Sequence, residues 1–154
     1  MPDSAPTRWP VYARVPPFLP VPVRVRADGW TVERQGQFIG LLAETGSVAE
    51  AARRVGMSRM AAWRLRRRSR AESLAHVWDA ILAIRAGDPP IPPRKVTPRE
   101  LLEMALEGPI RVRMLRGRFG RARREPSDRA LLGLLANAYA GDRLRAVPVL
   151  RRTK

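Results

Sequence analysis

Residues 47–65 read Ser47-Val-Ala-Glu-Ala-Ala-Arg-Arg-Val-Gly-Met-Ser-Arg-Met-Ala-Ala-Trp-Arg-Leu65, and the fold turns on this stretch. Ser47 and Glu50 make an S-x-x-E capping box, which predicts a helix from Val48 with Ala51, Ala52 and Val55 on its buried stripe. Gly56 then stops it, because a residue just past a helix end often needs the positive φ that glycine adopts without a Cβ clash. Met57 fills the turn. Ser58 caps a second helix with Ala62 and Leu65 facing inward and Arg59, Met60, Trp63, Arg64 and Arg67 on the outward side. Small residues at Ala51, Ala52 and Ala62 allow the two helices to cross closely. The register of caps, small residues and glycine predicts a helix-turn-helix; the alternative is two ordinary surface helices with a glycine between them.

Charge is concentrated on the same stretch. Between Glu50 and Glu72 there are eight arginines and no acidic residue. The whole chain, 154 residues, carries a net charge of +16, which implies a polyanionic partner, most simply nucleic acid; with the helix-turn-helix the expected partner is double-stranded DNA. Twenty-eight of the 30 basic residues are arginine, as GC-rich coding also produces, so the clustering weighs more than the total. A second helix of this kind fits the major groove. Ser58, Arg59, Met60, Trp63 and Arg64 are the candidate base readers: arginine binds guanine bidentately, and Met60 or Trp63 would contact a thymine methyl or a sugar. Arg53, Arg54, Arg66, Arg67 and Arg68 are the candidate phosphate contacts.

Outward from this motif, the chain divides at its prolines and glycines. Residues 1–27 hold seven of the 15 prolines and form a basic arm, expected to be extended or disordered. Its Arg8, Arg14, Arg24 and Arg26 either follow a DNA backbone or simply solvate a tail. Residues 28–86 are the expected DNA-binding domain. There Thr31 caps a first helix carrying Phe38, Leu41 and Leu42 and ending at Gly46, and a fourth helix after the motif carries Leu74, Val77, Trp78, Ile81 and Leu82. Residues 87–96, with Pro-Pro-Ile-Pro-Pro, read as a stiff linker. Residues 97–141 form an accessory unit: a helix capped by the box Thr97-Pro-Arg-Glu100, a hairpin, and a leucine-rich final helix from Ser127 or Asp128 to Gly141. In the hairpin, Ile110, Val112 and Met114 alternate with Arg111 and Arg113, and Leu115-Arg-Gly-Arg118 turns the chain. Arg111, Arg113, Arg116 and Arg118 are further phosphate candidates, against the alternative of a hairpin that merely faces water. Residues 142–154 read as a basic tail. The expected class is thus mainly α: a helix-turn-helix bundle with a C-terminal helix, a basic β-hairpin and a final helix.

Several chemistries find no support. Without cysteine there is no disulfide, thiolate metal site or cysteine nucleophile. His76 has no ligand partners in pattern, and Glu100, Glu103 and Glu107 recur at helical spacing as one solvated face. No catalytic residue, cofactor or metal is expected. No apolar run approaches the roughly 18 residues that span a bilayer, and Met1-Pro-Asp-Ser-Ala-Pro-Thr7 lacks a leader pattern, so the expected setting is cytoplasmic and nucleoid-associated.

The residues also carry a resemblance. Asp28-Gly-Trp-Thr31, Gln37-Phe-Ile-Gly-Leu-Leu-Ala-Glu-Thr-Gly-Ser47 and Ala51-Ala-Arg-Arg-Val-Gly-Met-Ser-Arg59 resemble helix-turn-helix proteins of alphaproteobacterial, especially sphingomonad, chromosomes. Those are similar in turn to the small terminase subunits of phages. Trp63-Arg-Leu-Arg66 resembles the aromatic-arginine recognition helix of that group, Val77-Trp-Asp-Ala80 its following helix, and the segment from Gly108 to Leu135 its hairpin-then-helix tail. The motif is also similar to the reading head of LysR-type regulators, whose sensor domain is too large for this chain, so no small-molecule effector is implied. Three roles remain open: a small transcriptional regulator, placed first; a small-terminase-like recognition subunit of a phage or mobile element; and a weakly specific nucleoid-type binder. A homo-oligomer is expected, with a dimer favoured.

Overall fold

The computed structural model describes the backbone of residues 8–145 and the side chains of residues 8–141. The described chain is mainly helical, with α1 (Val32–Thr45), α2 (Val48–Arg54), α3 (Arg59–Arg66), α4 (Glu72–Ala86), α5 (Pro98–Leu106), β1 (Ile110–Leu115), β2 (Arg118–Arg124) and α6 (Asp128–Arg145). The strands pair antiparallel through a two-residue turn at Arg116 and Gly117. No helix among the described residues is long and apolar enough to cross a membrane.

The helix starts follow their caps. The hydroxyls of Thr31, Ser47, Ser58 and Thr97 accept from the amides of Arg34, Glu50, Ala61 and Glu100 at 3.0–3.3 Å. At α5 the box is complete, with Glu100 accepting from the Thr97 amide at 2.8 Å. At α2 only half of it forms. Glu50 turns its carboxylate to Arg53 and Arg54, and the Ser47 amide instead donates to Thr45 Oγ1 at 3.2 Å.

Phe38, Ile39 and Leu42 of α1 are fully buried against Ala51 and Ala52 of α2, Ala62 and Leu65 of α3, and Leu74, Val77, Trp78 and Ile81 of α4. An aromatic series crosses this core: Trp30 meets Phe38 edge-on at 5.4 Å, Phe38 meets Trp78 at 5.0 Å, and Trp78 meets Trp63 at 5.0 Å. From α4, Arg85 donates to the carbonyls of Ala43 and Glu44, satisfying orphan acceptors at the end of α1.

The arm is extended, as its prolines require, but it belongs to this core. Trp9, Val15, Phe18, Leu19 and Val21 are all buried. Burying backbone demands that each N–H find a partner. In Pro16-Pro-Phe-Leu-Pro-Val-Pro22 only Phe18, Leu19 and Val21 have one to satisfy. Phe18 donates to the Ile110 carbonyl (3.2 Å), Leu19 to Ser73 Oγ (2.9 Å) and Val21 to Gln35 Oε1 (2.7 Å). Gln35 returns its amide to the Val21 carbonyl at 3.0 Å, so one buried side chain acts as a strand partner. The expected boundary near residue 27 is therefore absent from the packing; residues 1–7 lie outside the described residues.

Nor do residues 87–96 separate two units. The hairpin lies directly on α1, where a side chain would not fit: a Cβ on Gly36 would come within 2.7 Å of Ala122 Cβ, and one on Gly40 would overlap the Phe119 ring. Arg124 binds Glu103 of α5, Glu107 at its C-terminal cap and the Gly108 carbonyl, fastening α5 to the strands. Among the described elements α6 packs on α5 alone. It continues past the expected stop at Gly141 to Arg145, and the rest of the expected tail, 146–154, lies outside the described residues.

Candidate nucleic-acid interface

The turn between α2 and α3 is tight. Gly56 has φ 76°, and the Met57 amide reaches back to the Ala52 carbonyl at 2.9 Å. Beyond it, α3 exposes Ser58, Arg59, Met60 and Arg64, followed by Arg67 and Arg68. Met60 is 59% exposed, one of several large apolar side chains left at the surface of the described chain. The guanidiniums of Arg59, Arg64, Arg67 and Arg68 have no hydrogen-bond or ion-pair partner among the described residues. Ser58 is committed to its capping bond with the Ala61 amide at 3.0 Å, which leaves its hydroxyl proton to give elsewhere.

Two residues expected to face DNA are held by the protein instead. Trp63 is half-buried, stacked at a tilt on Trp78, so it is a packing residue between α3 and α4 rather than an outward one. Arg66 covers both rings, 5.9 Å from the Trp63 centroid and 5.3 Å from that of Trp78. It also donates to the Ala75 carbonyl at 3.1 Å and pairs with Asp79 at 2.9 Å. Two of its five N–H donors are thus given to α4, which turns this arginine away from the free guanidiniums beside it.

Arg53 and Arg54 are likewise engaged. Glu50 accepts from Arg53 at 2.7 Å and from Arg54 at 2.9 Å, and these two hydrogen bonds lower its carboxyl pKa from 4.5 to about 2. Arg54 also reaches Glu44 at 3.1 Å. Both guanidiniums stay solvent-facing, but their charge is largely neutralised locally.

The hairpin is different. Arg111, Arg113, Arg116 and Arg118 are exposed without partners among the described residues, and so are Arg121 and Arg123 on the return strand, which the sequence reading did not single out. Their position was legible in the strand period: Ala122 between them faces α1, so its neighbours face out. Glu44, near the end of α1, joins the two basic regions. One oxygen holds Arg54 and the other accepts from the Phe119 amide at 2.8 Å.

Among the described residues no group of three or more His, Asp or Glu is arranged to hold a metal. No protein-family model matches the chain, and no curated protein or solved structure matches it either.

Proposed function

We propose that this protein binds double-stranded DNA, without catalysis, through α3 seated in the major groove as the second helix of a helix-turn-helix, and that it serves as a small transcriptional regulator. One observation carries the reading: Arg59, Arg64, Arg67 and Arg68 stand free around the exposed Met60 while the neighbouring Arg66 is tied back to α4. Unpaired guanidiniums on and just past one short helix after a glycine turn match the donors that guanine edges and phosphates accept.

The test is a binding-site selection followed by titration of the preferred and a random duplex. Arg59→Ala or Arg64→Ala is expected to cost about 1–3 kcal/mol on the preferred site and relax one base position, while Arg67→Ala or Arg68→Ala weakens all sequences alike. Equal losses on both duplexes for all four variants would replace base reading with nucleoid-type binding.

The surface of α6 bears on assembly, in which the regulator differs from a second reading, a small-terminase-like recognition subunit. Leu131, Leu132 and Leu135 are 46–65% exposed on a helix that touches only α5. Such a face fits self-association. The regulator reading expects a dimer in light scattering, shifted to monomer by Leu131→Glu or Leu135→Glu. A closed ring of about six or more copies would favour the packaging role.

A further inference from the structure

The outward face of the hairpin is built against its own stability. Arg111 is paired directly with Arg123, and Arg113 with Arg121. Like charges facing each other across two strands repel. No carboxylate among the described residues relieves any of the four. Their direction is fixed by the other face, where Val112 is buried and Ala122 sits against Gly36. By strand geometry the four Cα atoms outline a rectangle about 5 by 7 Å. Arg14 of the arm extends it, lining the same groove as Arg111 and Arg113.

We infer that this four-arginine face is a second phosphate-contacting surface, which grips the backbone of the duplex and contributes affinity without reading sequence. The inference rests on the reading of α3 as a DNA-binding helix and adds a second site to it. A duplex carries one negative charge about every 1.7 Å of its axis, a density that four clustered guanidiniums match and an isolated carboxylate ligand does not. The cross-strand repulsion is relieved when phosphates come between the side chains. The Glu44 bridge, which holds β2 and the end of α2 to one carboxylate, keeps this face in fixed relation to the segment leading into α3.

The experiment compares the salt dependence of duplex binding for the full chain and for a variant with Arg111, Arg113, Arg121 and Arg123 all changed to Gln. Each phosphate contact contributes about −0.9 to the slope of log K against log salt, so the slope is expected to flatten by about 3 to 4, with the preference between selected and random duplex unchanged. The same four positions as Lys should restore the slope. An unchanged slope in the folded Gln variant overturns the inference, leaving a charged strand edge whose role is to discourage pairing between copies. Should the Gln variant fail to fold, Arg113→Glu replaces it: facing Arg121, the new carboxylate is expected to raise Tm while weakening duplex binding, and undiminished binding overturns the inference equally.

Arg59→Ala/Arg64→Ala, measured alongside, separates the two proposals. Lost preference there with an unaltered slope in the hairpin variant sinks the hairpin site alone. Intact preference there with a flattened slope in the hairpin variant sinks the α3 reading and keeps the phosphate surface. Binding to phosphatidylserine vesicles with none to duplex would overturn both.

Discussion

Glu44 and Phe119 are 75 residues apart in sequence, and the carboxylate of the first accepts the backbone amide of the second at 2.8 Å. The same side chain pairs with Arg54, so it fastens α2 and β2 to the last turn of α1. Glu44→Ala strands a part-buried donor and leaves Arg54 paired with Glu50 alone. We expect a loss of about 1–3 kcal/mol in urea unfolding, with faster hydrogen exchange at the Phe119 amide. Unchanged exchange at Phe119 would mean that the bond contributes nothing to holding the strand.

Replacing a helical glycine with alanine normally stabilises a helix by about 0.5–1 kcal/mol. At Gly40 the sign should reverse, because the added methyl meets the Phe119 ring. A destabilisation of about 1–3 kcal/mol is the usual cost of overpacking. Gly133→Ala in α6 is the control: its Cβ would meet only Leu101 at 3.9 Å, so the ordinary gain should appear. Both variants can be read in one thermal-melting series.

Acid should weaken the region around α2. Arg53 and Arg54 lower the Glu50 pKa from 4.5 to about 2, so their stabilising interaction is complete above about 4.5 and disappears as pH falls toward about 2. Glu100 acts in the same direction: burial raises its pKa, but the hydrogen bonds from Arg94 and Thr97 outweigh it and leave a net lowering. Melting temperature is expected to fall across this window. Arg53→Gln/Arg54→Gln should make the fall shallower; an identical acid profile would remove Glu50 from the account.

Gly56 offers a cleaner separation of backbone from packing. Its φ is 76°, and a Cβ there would meet nothing within 4 Å. Gly56→Ala should therefore cost only the left-handed conformation, about 1–2 kcal/mol, while Gly56→Val costs more and Gly56→Asn less. If the turn orients α3, duplex affinity should follow the same order. Equal stability for all three variants would be incompatible with a strained turn.

Short-range features were legible in the chain. The caps Thr31, Ser47, Ser58 and Thr97, the turn at Gly56 and the alternation around Val112 each depend on residues within a few positions, so local chemistry was enough. What failed depended on distant partners. The arm looked unattached because Phe18, Leu19 and Val21 are satisfied by Ile110, Ser73 and Gln35, none of them a sequence neighbour. Trp63 looked outward because only Ala62 and Leu65 defined the inner face of a short helix, and the indole of Trp78 widens that face. Arg53 and Arg54 are cations by type, but Glu50, one helical turn away, accepts from both. A local signal is present in Gly36-x-x-x-Gly40, two bare positions on one face of α1 that mark where the side chains of Ala122 and Phe119 come close.

We expect the bridge between Phe18 and Ile110 to form late in folding. It closes about 90 residues of intervening chain, a costly loop, whereas α1 to α4 meet through contacts much nearer in sequence. The four helices can therefore condense first and leave an apolar seam along α1. The arm and the hairpin, on either side of the four helices in sequence, would then close that seam together, each supplying a backbone partner to the other. A stalled intermediate would be a helical cluster with Trp9 and Phe18 still in water, detectable as a slow second phase in tryptophan fluorescence.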